Sequence, residues 1–255
     1  MSEDILSLTP PPADHRLPYG TDPNQFGDLR IPKTSGPFPM VMNVHGGFWR
    51  AKYGLEHAGH LCAALTKKGI ATWNLEYRRV GNAGGGWPGS FEDVANGFRF
   101  LPQIAKQYKL DVARVLVMGH SAGGQLALCL AGHEPALERA VSLAGVVDLQ
   151  RAVELHLSND AVVEFLGGKP AEVAEHYQEA DPMQISIRKA RQVLVCGTKD
   201  DVVPPDFSRK YAELKSAKGE NVKLVEIGNA DHYDVIDPRS QVWKQIEGAV
   251  SELLG

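Results

Sequence analysis

The sequence is poor in cysteine, has no excess of basic residues and contains no long apolar run, and each absence removes a class of function. Only three cysteines occur among 255 residues. Cys62, Cys129 and Cys196 lie in apolar segments without C-x-x-C spacing, and an odd count does not build a disulfide framework. They read as buried thiols rather than redox or metal groups. The 27 Lys and Arg are outnumbered by 31 Asp and Glu, and the net charge of −4 leaves no basic footprint for nucleic acid. No stretch approaches the roughly eighteen apolar residues of a membrane span. The start, Met1-Ser2-Glu3-Asp4-Ile5, lacks the basic head and apolar run of a signal peptide, so a cytoplasmic protein without membrane contact is expected. Internal repeats and interdomain linkers are missing as well, which makes one domain over residues 1–255 the economical expectation.

What is present is an alternation of strand-like and helix-like segments. Extended pieces at 14–17 and 28–31 read as edge strands in a lead-in, 1–36, rich in Pro, Asp and Gly. Apolar strand candidates follow at 39–44, 70–75, 115–118, 139–144, 192–196 and 222–227. Between and after them, residues 55–68, 91–106, 125–131, a stretch ending at Ala217 and about 239–254 read as helices. Such alternation predicts an α/β fold with a mostly parallel central sheet and helices on both faces. The longest excursion, 147–190, holds amphipathic pieces broken by Gly167-Gly168 and Asp181-Pro182, and reads as a small helical lid-like insertion or an extra helical layer. The glycine-rich loop 81–88 lies where a dinucleotide turn would, yet lacks G-x-G-x-x-G and a following acidic ribose ligand. No cofactor is expected, and the loop reads as a mobile segment near the site rim.

The chemistry centres on Gly119-His120-Ser121-Ala122-Gly123, placed between an apolar strand and a helical run. Glycines two before and two after the serine permit a sharp strand-to-helix corner that projects its hydroxyl, and the helix behind it aims N–H groups at the same point. Alone, the pattern is also compatible with a turn that does no chemistry. A serine hydroxyl needs a base, itself oriented by a carboxylate, in the chain order Ser, Asp or Glu, His. His232 is the only downstream histidine in a loop after the final strand; His133, His156 and His176 belong to the far end of a helix or to the excursion. Asp200 and Asp201 share the loop after the 192–196 strand, and Asp200, three residues past Gly197, is the chosen acid with Asp201 as its rival. Asp231 and Asp234, flanking the histidine, shape its loop. The segment His45-Gly46-Gly47-Phe48 ends an earlier strand, and the N–H groups of Gly47, Phe48 and Ala122 form the candidate oxyanion hole, with His45 holding the loop. Trp49 and Trp87 are either substrate-binding aromatics or core. His57 and His60 make an H-x-x-H pair without a third ligand, and are read as partly exposed surface residues with no metal.

These stretches, with His45-Gly46-Gly47-Phe48-Trp49, Gly119-His120-Ser121-Ala122-Gly123-Gly124, Gly197-Thr198-Lys199-Asp200-Asp201-Val202-Val203-Pro204 and Asp231-His232 in that order, resemble the α/β-hydrolase superfamily over nearly the whole chain. Within it the chain resembles the esterase and kynurenine formamidase (arylformamidase) branch, whose H-G-G-x-W loop Trp49 matches, while Phe48 departs from the H-G-G-G of hormone-sensitive-lipase-like esterases. The resemblance implies an α/β-hydrolase fold and a serine hydrolase acting on a small-molecule ester through an acyl-enzyme. An activated amide such as N-formylkynurenine is the alternative substrate, and a catalytically silent ligand-binding protein the alternative class. The oligomeric state is left open.

Overall fold

A computed structural model describes residues 2–255 of the chain. The strands are β1 (His15–Pro18), β2 (Phe26–Arg30), β3 (Phe38–Val44), β4 (Ala71–Leu75), β5 (Leu110–His120), β6 (Arg139–Leu143), β7 (Arg191–Gly197) and β8 (Val222–Ile227). They form one sheet in the order β1-β2-β4-β3-β5-β6-β7-β8. β2 runs antiparallel to β1 and β4, and every other pairing is parallel. Parallel strands covered on both faces bury all their side chains, which is why β3 and the second half of β5 are nearly uninterrupted apolar runs.

Side chains alternate across the sheet with period two. Met40, Met42, Val44 and Val117 enter one core cluster, whereas Val41, Leu116 and Met118 enter the other. Helices α2 (Gly89–Tyr108), α3 (Ala122–His133) and α7 (Asp206–Ala217) cover the first face. Helices α1 (Gly59–Thr66) and α8 (Trp243–Leu254) cover the second, joined by Ile5 of a 3₁₀ turn over Ser2–Leu6. The excursion between β6 and β7 contains α4 (Leu149–Glu154), α5 (Ala161–Leu166) and α6 (Ala174–Ala180). Val162, Phe165, Leu166 and Tyr177 bury themselves in the larger cluster, so the insertion is packed onto the body rather than held away from it.

Two element boundaries differ from the sequence reading. The segment expected to be one helix over 55–68 begins as a 3₁₀ turn, Leu55–Ala58, before α1 starts at Gly59. This tighter turn carries Leu55, His57 and Ala58 inward together. The closing helix starts at Trp243 rather than about 239, because the Asp237 carboxylate captures both the main-chain N–H and the guanidinium of Arg239 and stabilises a turn there. Among the described residues, no helix is long and apolar enough to cross a membrane.

Candidate active site

The parallel register brings strand ends level: Val44 pairs with Gly119, His120 with Leu143, Leu143 with Val195, and Gly197 with Ile227. Loops leaving β3, β5, β7 and β8 therefore converge on one edge. At the β5 exit Ser121 has φ 55° and ψ −118°, a backbone conformation that costs on the order of 1–3 kcal/mol for a non-glycine residue. The flanking glycines are required by contact. A Cβ on Gly119 would lie 2.0 Å from the Gly123 carbonyl oxygen, and one on Gly123 would lie 2.1 Å from that of Val44. The corner thus wedges the start of α3 against the end of β3.

His232 follows β8 and turns its Nδ1 to Asp200 Oδ2 at 2.8 Å, both side chains being almost inaccessible. The other carboxylate oxygen, Oδ1, accepts from the main-chain N–H groups of Val202 at 3.0 Å and Val203 at 2.8 Å, which fixes the carboxylate's orientation. Asp201 is exposed. Asp231 accepts from the N–H groups of Tyr233 and Asp234, and Asp234 from the N–H of Asp231, so these two carboxylates shape the loop that carries His232. His120, the residue before the serine, donates through Nε2 to the His232 carbonyl at 2.9 Å.

The loop after β3 approaches the serine from the other side. A Cβ on Gly46 would fall 3.0 Å from Ser121 Cβ and 2.8 Å from the His120 carbonyl oxygen, so only a glycine lets this loop close on the elbow. Gly47, Phe48 and Trp49 all have positive φ, at 107°, 49° and 56°. The turn is held from beneath. His45 Nε2 is 2.9 Å from Glu76 Oε1, its Nδ1 is 2.8 Å from the Gly46 carbonyl oxygen, and its own carbonyl accepts from the Tyr77 hydroxyl at 3.0 Å. Burial raises the Glu76 pKa, but the His45 charge and hydrogen bond together with Arg79 outweigh it and hold the carboxyl below the ordinary range. Arg79 also donates to the Tyr53 carbonyl.

Ser121, His232, Gly47 and Phe48 line one cavity of about 110 Å³, with Leu6, Tyr53, His57, His120, Ser158, Val202 and Tyr233 completing its walls. Ala122 is fully buried behind it. The cavity corrects three expectations. Trp49 is no substrate contact: it is fully buried, donates from Nε1 to Gln125 Oε1 at 3.0 Å, and stacks on Phe165 with centroids 4.5 Å apart. Trp87 lies outside the cavity lining, packed on Phe91 and edge-on to Phe165. Both tryptophans serve the seam between body and insertion. His57, read as a surface residue, is buried and faces the cavity because the 3₁₀ turn points it inward; His60 instead meets the Leu8 carbonyl.

His57 and His120 are kept uncharged. Burial, then the neighbouring His45, pushes His57 down to about 3, and burial with the nearby His232 pushes His120 well below the ordinary histidine value. The three thiols are buried, and burial raises Cys62 to about 12 and Cys196 to about 11. Sequence reasoning passed over Leu6, Tyr53, His57, His120, Ser158 and Tyr233 as cavity walls. His120 was legible in principle, since it sits inside the motif; Ser158 comes from an insertion whose docking no local pattern encodes.

Comparison with known proteins places this architecture. Residues 28–214 match the family described as BD-FAE. The chain is 25% identical over 93% of its length to "Probable isoprenylcysteine alpha-carbonyl methylesterase ICMEL1" of Arabidopsis thaliana, and spans 55% of that protein. It is 22% identical over 87% of its length to a "Kynurenine formamidase" of Salmo salar, of which it spans 75%. A solved structure titled "Truncated form of carbohydrate esterase from gut microbiota" superposes with a TM-score of 0.82 at 19% identity, covering 95% of this chain and 99% of that one. The fold is that of the α/β-hydrolases, and the chain belongs to the BD-FAE family.

Proposed function

We propose that this chain, a hydrolase of carboxylesterase type, cleaves a small carboxylic ester through an acyl-enzyme formed on Ser121. In this reading His232 removes the hydroxyl proton as Ser121 attacks the carbonyl carbon, then returns it to the departing alcohol. Asp200 holds the imidazole in the needed tautomer and stabilises the imidazolium. Negative charge on the carbonyl oxygen is met by the N–H groups of Gly47, Phe48 and Ala122, at the point where α3 also directs its positive end. Water, activated by the same histidine, releases the acid. The observation that carries this reading is the buried His232–Asp200 hydrogen bond opening onto the cavity that Ser121 lines.

The small cavity favours a short acyl group. A formamide substrate is the second reading, motivated by the H-G-G-x-W loop and the likeness to kynurenine formamidase. It receives no aromatic wall from Trp49, which is spent in the core. Specificity constants on an acetate ester and on N-formylkynurenine separate the two. The decisive experiment is Ser121→Ala: turnover of p-nitrophenyl acetate should fall by several orders of magnitude, on the order of 10⁶ by analogy with another serine hydrolase. Fluorophosphonate labelling of the wild type should map to Ser121. Near-normal hydrolysis by the folded variant overturns the mechanism, and an unlabelled serine favours the silent binding protein.

A further inference from the structure

The insertion reaches the cavity through one residue, Ser158, which is half-buried and shares the lining with Ser121 and His232. It sits in a short segment between α4 and α5 where His156, Ser158, Asn159 and Asp160 all have positive φ, from 50° to 58°. Four non-glycine residues in this region are costly, so something must over-determine the segment. Arg50 supplies the constraint. It directly follows the candidate oxyanion loop, and its guanidinium donates to Ser158 Oγ at 3.0 Å, to the Ser158 carbonyl at 2.8 Å, to the Asn159 carbonyl at 3.2 Å and to Glu164 Oε2 at 2.8 Å.

This geometry determines what the Ser158 hydroxyl can do. A guanidinium has donors only, so Arg50 occupies a lone pair of Oγ and leaves the hydroxyl proton uncommitted. A cationic donor on the oxygen also polarises the O–H and strengthens it as a donor. Among the other cavity walls, Leu6, Gly47, Phe48 and Val202 have no side-chain donor, and the uncharged His57 and His120 direct a ring N–H to the Gly54 and His232 carbonyls; beside Ser121 and His232, the hydroxyls of Tyr53 and Tyr233 are the remaining side-chain donors, and both belong to the body rather than to the insertion.

We propose that Ser158 determines specificity: its hydroxyl, oriented by Arg50, donates a hydrogen bond to a second oxygen of the substrate, near the scissile carbonyl. The preferred substrates are then esters bearing an ether or hydroxyl oxygen in the acyl or alcohol portion, over hydrocarbon esters of the same shape. The inference rests on the reading of Ser121 as nucleophile.

Isosteric ester pairs test it. On the acyl side 4-nitrophenyl methoxyacetate is compared with 4-nitrophenyl butanoate, and on the alcohol side 2-methoxyethyl acetate with butyl acetate. The readout is the ratio of kcat/KM within each pair, which cancels the intrinsic reactivity difference when wild type and variant are compared. In Ser158→Ala the ratio should fall on the order of five- to ten-fold in at least one pair, the loss expected for one neutral hydrogen bond. Ser158→Gly, which relieves the positive φ while also removing the hydroxyl, should show the same fall. Ratios unchanged in both pairs overturn the proposal, as does a fall confined to the alanine variant, which would report backbone strain. Failure of the underlying reading looks different: Ser121 escapes fluorophosphonate labelling and neither member of either pair is hydrolysed by wild type, and the proposal falls with it.

Discussion

The imidazole of His120 donates to the main-chain carbonyl of His232 over 2.9 Å, so the residue preceding the elbow serine holds the loop that carries the candidate base. The hydrogen bond spans 112 positions of sequence and ties the exit of β5 to the loop after β8. His120→Ala should therefore misplace His232 without removing any group from the reacting atoms. The expected result is a fall in kcat of about ten- to a hundred-fold with KM little changed, since misplacement of about 1 Å is enough for such a loss. Steady-state kinetics on p-nitrophenyl acetate, with circular dichroism to verify folding, check this; equal losses in KM and kcat would assign His120 to binding instead.

Asp200 and Asp201 are adjacent in sequence but unequal in the fold, since Asp200 is buried against His232 and Asp201 faces solvent. Asp200→Asn should lower kcat by on the order of 10³–10⁴, because the amide can favour the wrong histidine tautomer. Asp201→Asn should stay within about two-fold of wild type, as surface substitutions generally do. Comparable losses in the two variants would remove Asp200 from its proposed role.

Four histidines, His45, His57, His120 and His232, gather at the site, and two of them are expected to be silent in the pH profile. Burial holds His57 to about 3 and His120 well below the usual histidine range, so both should stay neutral through the working range. His57→Gln should therefore leave the shape of the kcat/KM profile between about pH 5.5 and 8 unchanged. A limb lost from the profile of the variant would show that His57 titrates in that range.

Asp181, at the end of the insertion, is fully buried, with Oδ1 accepting from the Met183 N–H at 3.0 Å and the main-chain N–H groups of Leu149 and Gln150 also directed at its carboxylate. Burial raises its pKa to about 7, with the charge of Asp148 adding to the rise and the backbone N–H groups of Met183, Leu149 and Gln150 only partly offsetting it. A carboxyl raised in the folded state favours folding through its protonated form. That contribution is complete below about pH 4, where the unfolded chain also holds the proton, and is lost as the pH rises through about 7. Chemical denaturation at pH 5.5 and pH 8 should therefore give the wild type a lower stability at the higher pH. Asp181→Asn should shrink the difference; an unchanged difference would place its origin elsewhere.

How much of this was written in the sequence follows from the range of the interactions involved. The strand–helix alternation, the elbow glycines and the order of Ser121, Asp200 and His232 depend on residues within a few positions of one another, or on chain order alone. Apolar runs specify strands, and the contacts a Cβ would make at Gly119 and Gly123 specify glycine. These features could be read directly. The choice between Asp200 and Asp201 could be argued but not decided, because it depends on which carboxylate the β7–β8 pairing turns toward His232. Trp49 carried a motif match and no information about its direction. Only tertiary packing turned it into the core, where Gln125 and Phe165 satisfy both its N–H and its ring. His57 went the other way, from an expected surface to the cavity wall, because a 3₁₀ turn replaced the first turn of a helix. Ser158 had no signal at all, since its place at the site depends on Arg50 gripping it across 108 positions. The sequence by itself determined which chemistry the strand ends can carry, because local sterics and chain order encode it. Only the tertiary structure decided which side chains wall the cavity, because burial and long-range hydrogen bonds set the direction of each one.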